Sequence, residues 1–173
     1  FAGGFDSNDW VMGIDTLSSN GNTDCFVFHS QSNLMFTNSA IFGGTGDDYI
    51  TNLDWKLGLS NNIRYLLMAG SFENTMNFFY NPISSNGGKD AFSIQVGFSG
   101  STIWTPQLAT VNSYGGNGDD EATLAFYDPN GTPNIAGTFS SYSIILYLDT
   151  AYNQGGKDIF ITNTSNEMEG IGG

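Results

Sequence analysis

The acidic residues of this chain come in a pattern that could do chemistry. Gly43-Gly44-Thr45-Gly46-Asp47-Asp48 and Gly115-Gly116-Asn117-Gly118-Asp119-Asp120 each end a glycine-rich turn in two adjacent carboxylates, and Glu121 follows the second pair. Paired carboxylates can act as acid and base in glycoside hydrolysis. With turn carbonyls they also supply the hard oxygen ligands that calcium takes. Gly43 to Ile50 fits the calcium-binding β-roll nonapeptide, Gly-Gly-x-Gly-x-Asp-x-apolar. A β-roll needs tandem copies so that successive turns sandwich each ion, and these two start 72 residues apart, so a β-roll is rejected. What remains is a solitary calcium at each turn, with Asp47, Asp48, Asp119 and Asp120 as ligands. The alternative is a turn in which each Asp accepts backbone hydrogen bonds.

Other chemistry is thin. His29 is the one histidine and has no Ser or Cys partner in a recognisable motif. Cys25 is the one cysteine, so no internal disulfide is possible, and the run Asp24-Cys25-Phe26-Val27-Phe28 predicts a small buried thiol. No phosphate loop or zinc spacing is present. Trp10, Trp55, Trp104 and Tyr142 could stack on sugar rings, although aromatics at strand period also build cores. Asn130-Gly131-Thr132 and Asn163-Thr164-Ser165 are glycosylation sequons, with Asn130 and Asn163 as acceptors.

Charge narrows the classes further. Lys56, Arg64, Lys89 and Lys157 are the only Lys and Arg residues, and the net charge is −13. That excludes a nucleic-acid footprint and a polybasic membrane patch. Few charges with many Ser, Thr, Asn and Gly suit an extracellular surface. No apolar run approaches the ~20 residues of a membrane helix. The chain opens inside a repeated segment, which is the expectation for a piece of something longer.

The elements that must position these residues are announced by repetition. Ala2-Gly3-Gly4-Phe5, Ala69-Gly70-Ser71-Phe72 and Ala136-Gly137-Thr138-Phe139 share Ala-Gly-x-Phe and start 67 residues apart. A second marker travels with them: Gly21-Asn22-Thr23-Asp24, Gly87-Gly88-Lys89-Asp90 and Gly155-Gly156-Lys157-Asp158. The Gly-Gly-x-Gly-Asp-Asp turns open a unit, and Gly172-Gly173 would begin another. Apolar positions between markers follow period two, with no helical stretch. Tyr49 to Leu59 predicts a first strand with its polar side outward, Ile63 to Ala69 a second, and Phe92 to Phe98 a third. A fourth is predicted around Thr102 to Thr110. Four antiparallel strands on tight Gly/Asn/Ser turns describe a propeller blade. The prediction is an all-β chain of antiparallel, blade-like repeats: residues 1–42 a partial first blade (strands two to four), 43–114 a complete second, 115–173 a shortened third. Ala-Gly is expected to let neighbouring blades approach, and the marker Asp to cap its own loop.

In this order of markers the chain resembles the SBBP-type β-propeller repeat family of secreted and cell-surface proteins. The resemblance implies a propeller-like extracellular repeat of largely non-enzymatic character, and it supplies no catalytic residues. The units here are longer than usual for that family, which requires inserted outer segments at 6–20, 73–85 and 140–150. Two or three blades do not close a ring of roughly four to eight. The function expected is a structural or adhesive module, part of a larger surface assembly or filament. Its partners would be copies of itself or further blades of the same parent chain. A lectin-like, glycan-binding propeller is the alternative, with Trp10 and Trp104 as stacking residues, and a polysaccharide-active enzyme ranks below it. A catalytic pair normally departs from a repeat rather than obeying it, and these carboxylates obey it.

Overall fold

The computed structural model describes residues 1–12, 15–30, 36–58, 63–98, 108–146, 149–163 and 168–171. Among them there are fifteen strands and no helix. In chain order they are β1 (Ala2–Phe5), β2 (Trp10–Met12), β3 (Asp15–Leu17), β4 (Asp24–Ser30), β5 (Phe36–Gly44), β6 (Tyr49–Leu57), β7 (Arg64–Phe78) and β8 (Asn81–Phe98). They continue with β9 (Leu108–Tyr114), β10 (Asp120–Tyr127), β11 (Pro133–Phe139), β12 (Ser143–Leu146), β13 (Asp149–Tyr152), β14 (Asp158–Asn163) and β15 (Met168–Ile171). Every pairing is antiparallel. The described strands form no closed barrel or propeller ring.

Three strand groups carry the markers: β1-β4-β5, then β6-β7-β8-β9, then β10-β11-β14-β15. The first two join into one sheet where Gly43 and Gly44 pair with Asn77 and Met76. Within each group the markers meet in one register. Gly3 stands opposite Phe26, Gly70 opposite Phe92, and Gly137 opposite Phe160. The marker Phe likewise stands opposite the marker Asp: Phe5 and Asp24, Phe72 and Asp90, Phe139 and Asp158. The two motifs recur together because they are one cross-strand pair.

In the second and third groups the marker glycine is required by a bulge. β6 slips register between Ile50 and Asn52, opposite Gly70, and β10 slips between Ala122 and Leu124, opposite Gly137. The bulged strand pushes its carbonyl into the space a Cβ would need: Tyr49 O at Gly70, Glu121 O at Gly137. On the other side the Phe92 and Phe160 rings press on the same glycines. Ala69, by contrast, is fully buried against the next group, where a small residue permits close approach.

The bulge also changes which side of β6 faces inward. Strict alternation predicts that Trp55 and Leu57, which lie beyond the bulge, are covered, yet they are 61% and 51% exposed. One extra residue exchanges the two faces of the strand. The polar residues Asn52, Asp54 and Lys56 turn to the neighbouring group instead of to solvent.

Residues 73–85 form the end of one long hairpin, β7 running to Phe78 and β8 starting at Asn81. Pro82 sits near the start of its strand, where a missing N–H is tolerated. The segments 6–20 and 140–150 contain the shorter hairpins β2-β3 and β12-β13, the latter running on to Tyr152. Two cores result. One buries Cys25, Val27 and Phe42 under Met68, Phe72, Phe92 and Ile94; the other buries Leu67, Ala69 and Ala91 under Ile135, Phe139 and Phe160. The predicted run from Thr102 lies outside the described residues until Leu108.

Candidate functional site at the junction turns

Between one strand group and the next, the acidic turns interlock. The loop before β4 lies on the turn before β6: the Asp48 N–H donates to Thr23 O at 2.7 Å, and the Thr23 N–H donates to Asp47 Oδ1 at 3.3 Å. At the second junction the Lys89 N–H donates to Asp119 Oδ1 at 3.1 Å. The glycines again serve close approach. A Cβ on Gly43 would strike the Asp24 carboxylate and come within 2.9 Å of Asp48 Oδ2, and one on Gly115 would strike Asp90.

Each buried Asp closes its own loop by accepting an N–H from four residues back. The pairs are Asn20 to Asp24 (2.6 Å), Gly44 to Asp48 (2.7 Å), Asn86 to Asp90 (3.0 Å), Gly116 to Asp120 (3.0 Å) and Gln154 to Asp158 (2.6 Å). All five are at most 3% exposed. A short polar side chain bonding backward to its own chain is what the Asp contributes in all five loops.

The two junctions differ in how far they satisfy these carboxylates. Asp120 is saturated: Ser140 and Ser141 N–H donate to Oδ1 and the Ser141 hydroxyl to Oδ2. Oδ1 of Asp24, Asp48 and Asp90 is buried without a hydrogen-bond partner. Burial is the main reason that the Asp48 carboxyl is pushed up to about 7, with the Gly44 N–H opposing it and the Asp24 charge adding to it. Burial raises Asp90 to about 6 against the Asn86 N–H, and the Asp120 charge contributes. Asp24 is raised by burial, opposed by the Asn20 and Gly44 N–H groups. Cys25, wholly buried beside them, is pushed well up by burial and then by Asp48 and Asp24.

The sequence singled out Asp47, Asp48, Asp119 and Asp120; the structure adds Asp24 to the first junction and Asp90 to the second. Their signal was visible as the recurring marker Asp, although its nearness to the other turn was not. Among the described residues no three His, Cys, Asp or Glu side chains gather as a metal-holding group.

Side chains of β6 fasten the second and third groups together. Asn52 Oδ1 accepts the Ala125 N–H at 3.0 Å and Asp54 Oδ2 the Tyr127 N–H at 2.8 Å. Thr51 Oγ1 donates to Ala122 O, and Lys56 Nζ donates to Gly131 O with the Tyr127 ring 4.4 Å away.

Two clefts flank these contacts. A polar one of about 380 Å3 is lined by Tyr49, Ser71, Lys89, Asp119, Glu121 and Lys157. A more apolar one of about 400 Å3 is lined by Phe1, Phe28, His29, Trp55, Arg64 and Phe98. Trp10 is half-buried, tilted against Phe5 and edge-on to Phe26. Tyr142 is exposed beside Tyr152, and Trp104 lies outside the described residues. Asn130 is exposed in the 128–132 turn; Asn163 ends β14, half-buried.

No family model matches the chain, and no curated protein or solved structure matches it either.

Proposed function

We propose that this chain is a non-enzymatic, extracellular structural module of blade-like repeats of the propeller type, SBBP-like in its marker order. One observation carries the reading. The carboxylates that look reactive sit at matching turns and are engaged by backbone N–H groups, Asp48 and Asp120 by those of their own loops and Asp47 and Asp119 by those of the adjoining strand group, so their role is to join one unit to the next. Residues 1–42, 43–114 and 115–173 are then successive units, the middle one complete and the outer two partial. Low positive charge and exposed Asn130 suit a secreted or surface-borne chain that carries glycans. The decisive experiment is a hydrolysis screen on soluble polysaccharides. Turnover abolished by Asp119→Asn or Glu121→Gln, in protein that still folds, refutes the reading.

A glycan-binding role has one observation in its favour: the apolar cleft presents Trp55, 61% exposed, beside His29 and Arg64. Aromatic faces with polar neighbours suit sugar rings. Glycan-array binding that disappears in Trp55→Ala supports this second reading, and an array without hits ends it.

A further inference from the structure

We propose that the exposed leading face of the first strand group and the exposed trailing face of the third are halves of one interface, through which a second copy of this chain docks head to tail. This rests on the repeat reading above and names the partner. The shared register makes positions comparable across the three groups.

On the leading face, Phe92 and Phe160 are each fully buried against the preceding group, whereas the matching Phe26 is half-buried beside the Trp10, Phe5 and Phe28 rings. Met68 and Ile135 are 0% and 3% exposed; the matching Phe1 is 69% exposed. The trailing face shows the reverse. Cys25 and Ala91 are both fully buried beneath the following group, and the matching Ile159 is 48% exposed. Val27 and Ser93 are 2% and 4% exposed, and the matching Ile161 is 38% exposed.

What covers such faces is already present within the chain. Twice, a leading face of the Phe92 and Phe160 kind is seated on a trailing face of the Cys25 and Ala91 kind, and the exposed faces of the first and third groups match those two kinds. The Phe1, Phe26 and Phe28 side chains on one face and Ile159 and Ile161 on the other are apolar, so contact between the faces buries hydrophobic surface, while the net charge of −13 opposes it at low salt. Contact between unlike faces is heterologous: it closes into a ring if the rotation permits and otherwise grows as a filament.

The test is sedimentation velocity over a concentration series at low and high salt. The expected result is an average mass that rises past the dimer and rises further in salt, which screens the net charge. Ile159→Asp with Ile161→Asp blocks one end, and Phe1→Asp with Phe28→Asp blocks the other. Each variant alone should stay monomeric, and their mixture should give a one-to-one complex and nothing larger. Circular dichroism and a cooperative melt establish that each variant folds; Ile161→Asp alone is the milder substitute. A wild-type chain that stays monomeric throughout overturns the proposal, as does self-association of either blocked variant. Neither outcome touches the non-enzymatic reading, which the hydrolysis screen tests separately.

Discussion

Asp48→Asn should stabilise this protein at alkaline pH, contrary to the usual result of altering a buried, hydrogen-bonded carboxylate. Asp48 titrates near 7 when folded against an ordinary value of 3.8. A carboxyl raised in this way binds its proton more tightly when folded. Its contribution to stability is therefore full below about pH 4 and is lost as pH rises through about 7. The unscreened linkage is roughly 4 kcal/mol, and solvent screening at a turn reduces it to about 2 kcal/mol. Asn removes the charge and keeps an oxygen for the Gly44 N–H. It also adds an N–H2 group beside Asp24, whose Oδ1 is buried without a donor. At pH 8 the variant should gain about 2 kcal/mol, or roughly 4–8 °C in Tm for a chain of this size. At pH 4 the two proteins should melt together to within about 1 kcal/mol. Thermal and urea melts at pH 4, 6 and 8 measure both. A variant less stable than wild type at pH 8, or a gain independent of pH, refutes the idea that Asp24 and Asp48 face each other undercompensated.

The second junction should titrate lower: Asp90→Asn should confer a smaller alkaline gain, of about 1 kcal/mol after screening, centred near pH 6 in pH-dependent melts. Millimolar calcium at pH 7.5 should leave Tm unchanged, because Asp24, Asp47 and Asp48 are already engaged by backbone N–H groups; a rise abolished by Asp48→Asn would support the calcium reading of the Asp47–Asp48 turn. Gly70→Ala and Gly137→Ala should each cost at least about 3 kcal/mol, since the new methyl meets a carbonyl of the adjoining strand. Gly155→Ala meets no neighbour and should cost only about 1 kcal/mol for its positive φ, a contrast that urea denaturation resolves. Asp54→Ala leaves the Tyr127 N–H unpaired and should cost about 1–3 kcal/mol, seen in hydrogen exchange as faster opening along β10.

How much of this was legible in the sequence follows from the range of each interaction. The all-β class, the buried Cys25 and the order of markers were readable because alternation and turn residues act over a few positions. The facing of β6 was not. A bulge between Ile50 and Asn52 leaves no mark in composition, and the glycine that permits it lies on another strand. The hairpin ending in Phe78 and Asn81 was hidden by Ser84, Ser85 and Asn86, which resemble a loop, and by Pro82, which resembles a break. Of the candidate site, the paired Asp turns were visible and half their partners were not. Asp24 and Asp48 stand 24 positions apart, and only the docking of one strand group on the next brings them together.

The hairpins have a practical consequence. The Phe79–Tyr80 tip, with Tyr80 97% exposed, joins two strands that pair with each other up to the turn, Phe78 against Asn81. Extra peptide spliced there would leave the hairpin's ladder and the junction turns untouched. The outer arm, and with it the 67-residue spacing, can therefore lengthen without disturbing the core. Engineered on that basis, the chain becomes a display scaffold, with an epitope or enzyme carried on the arm of every unit.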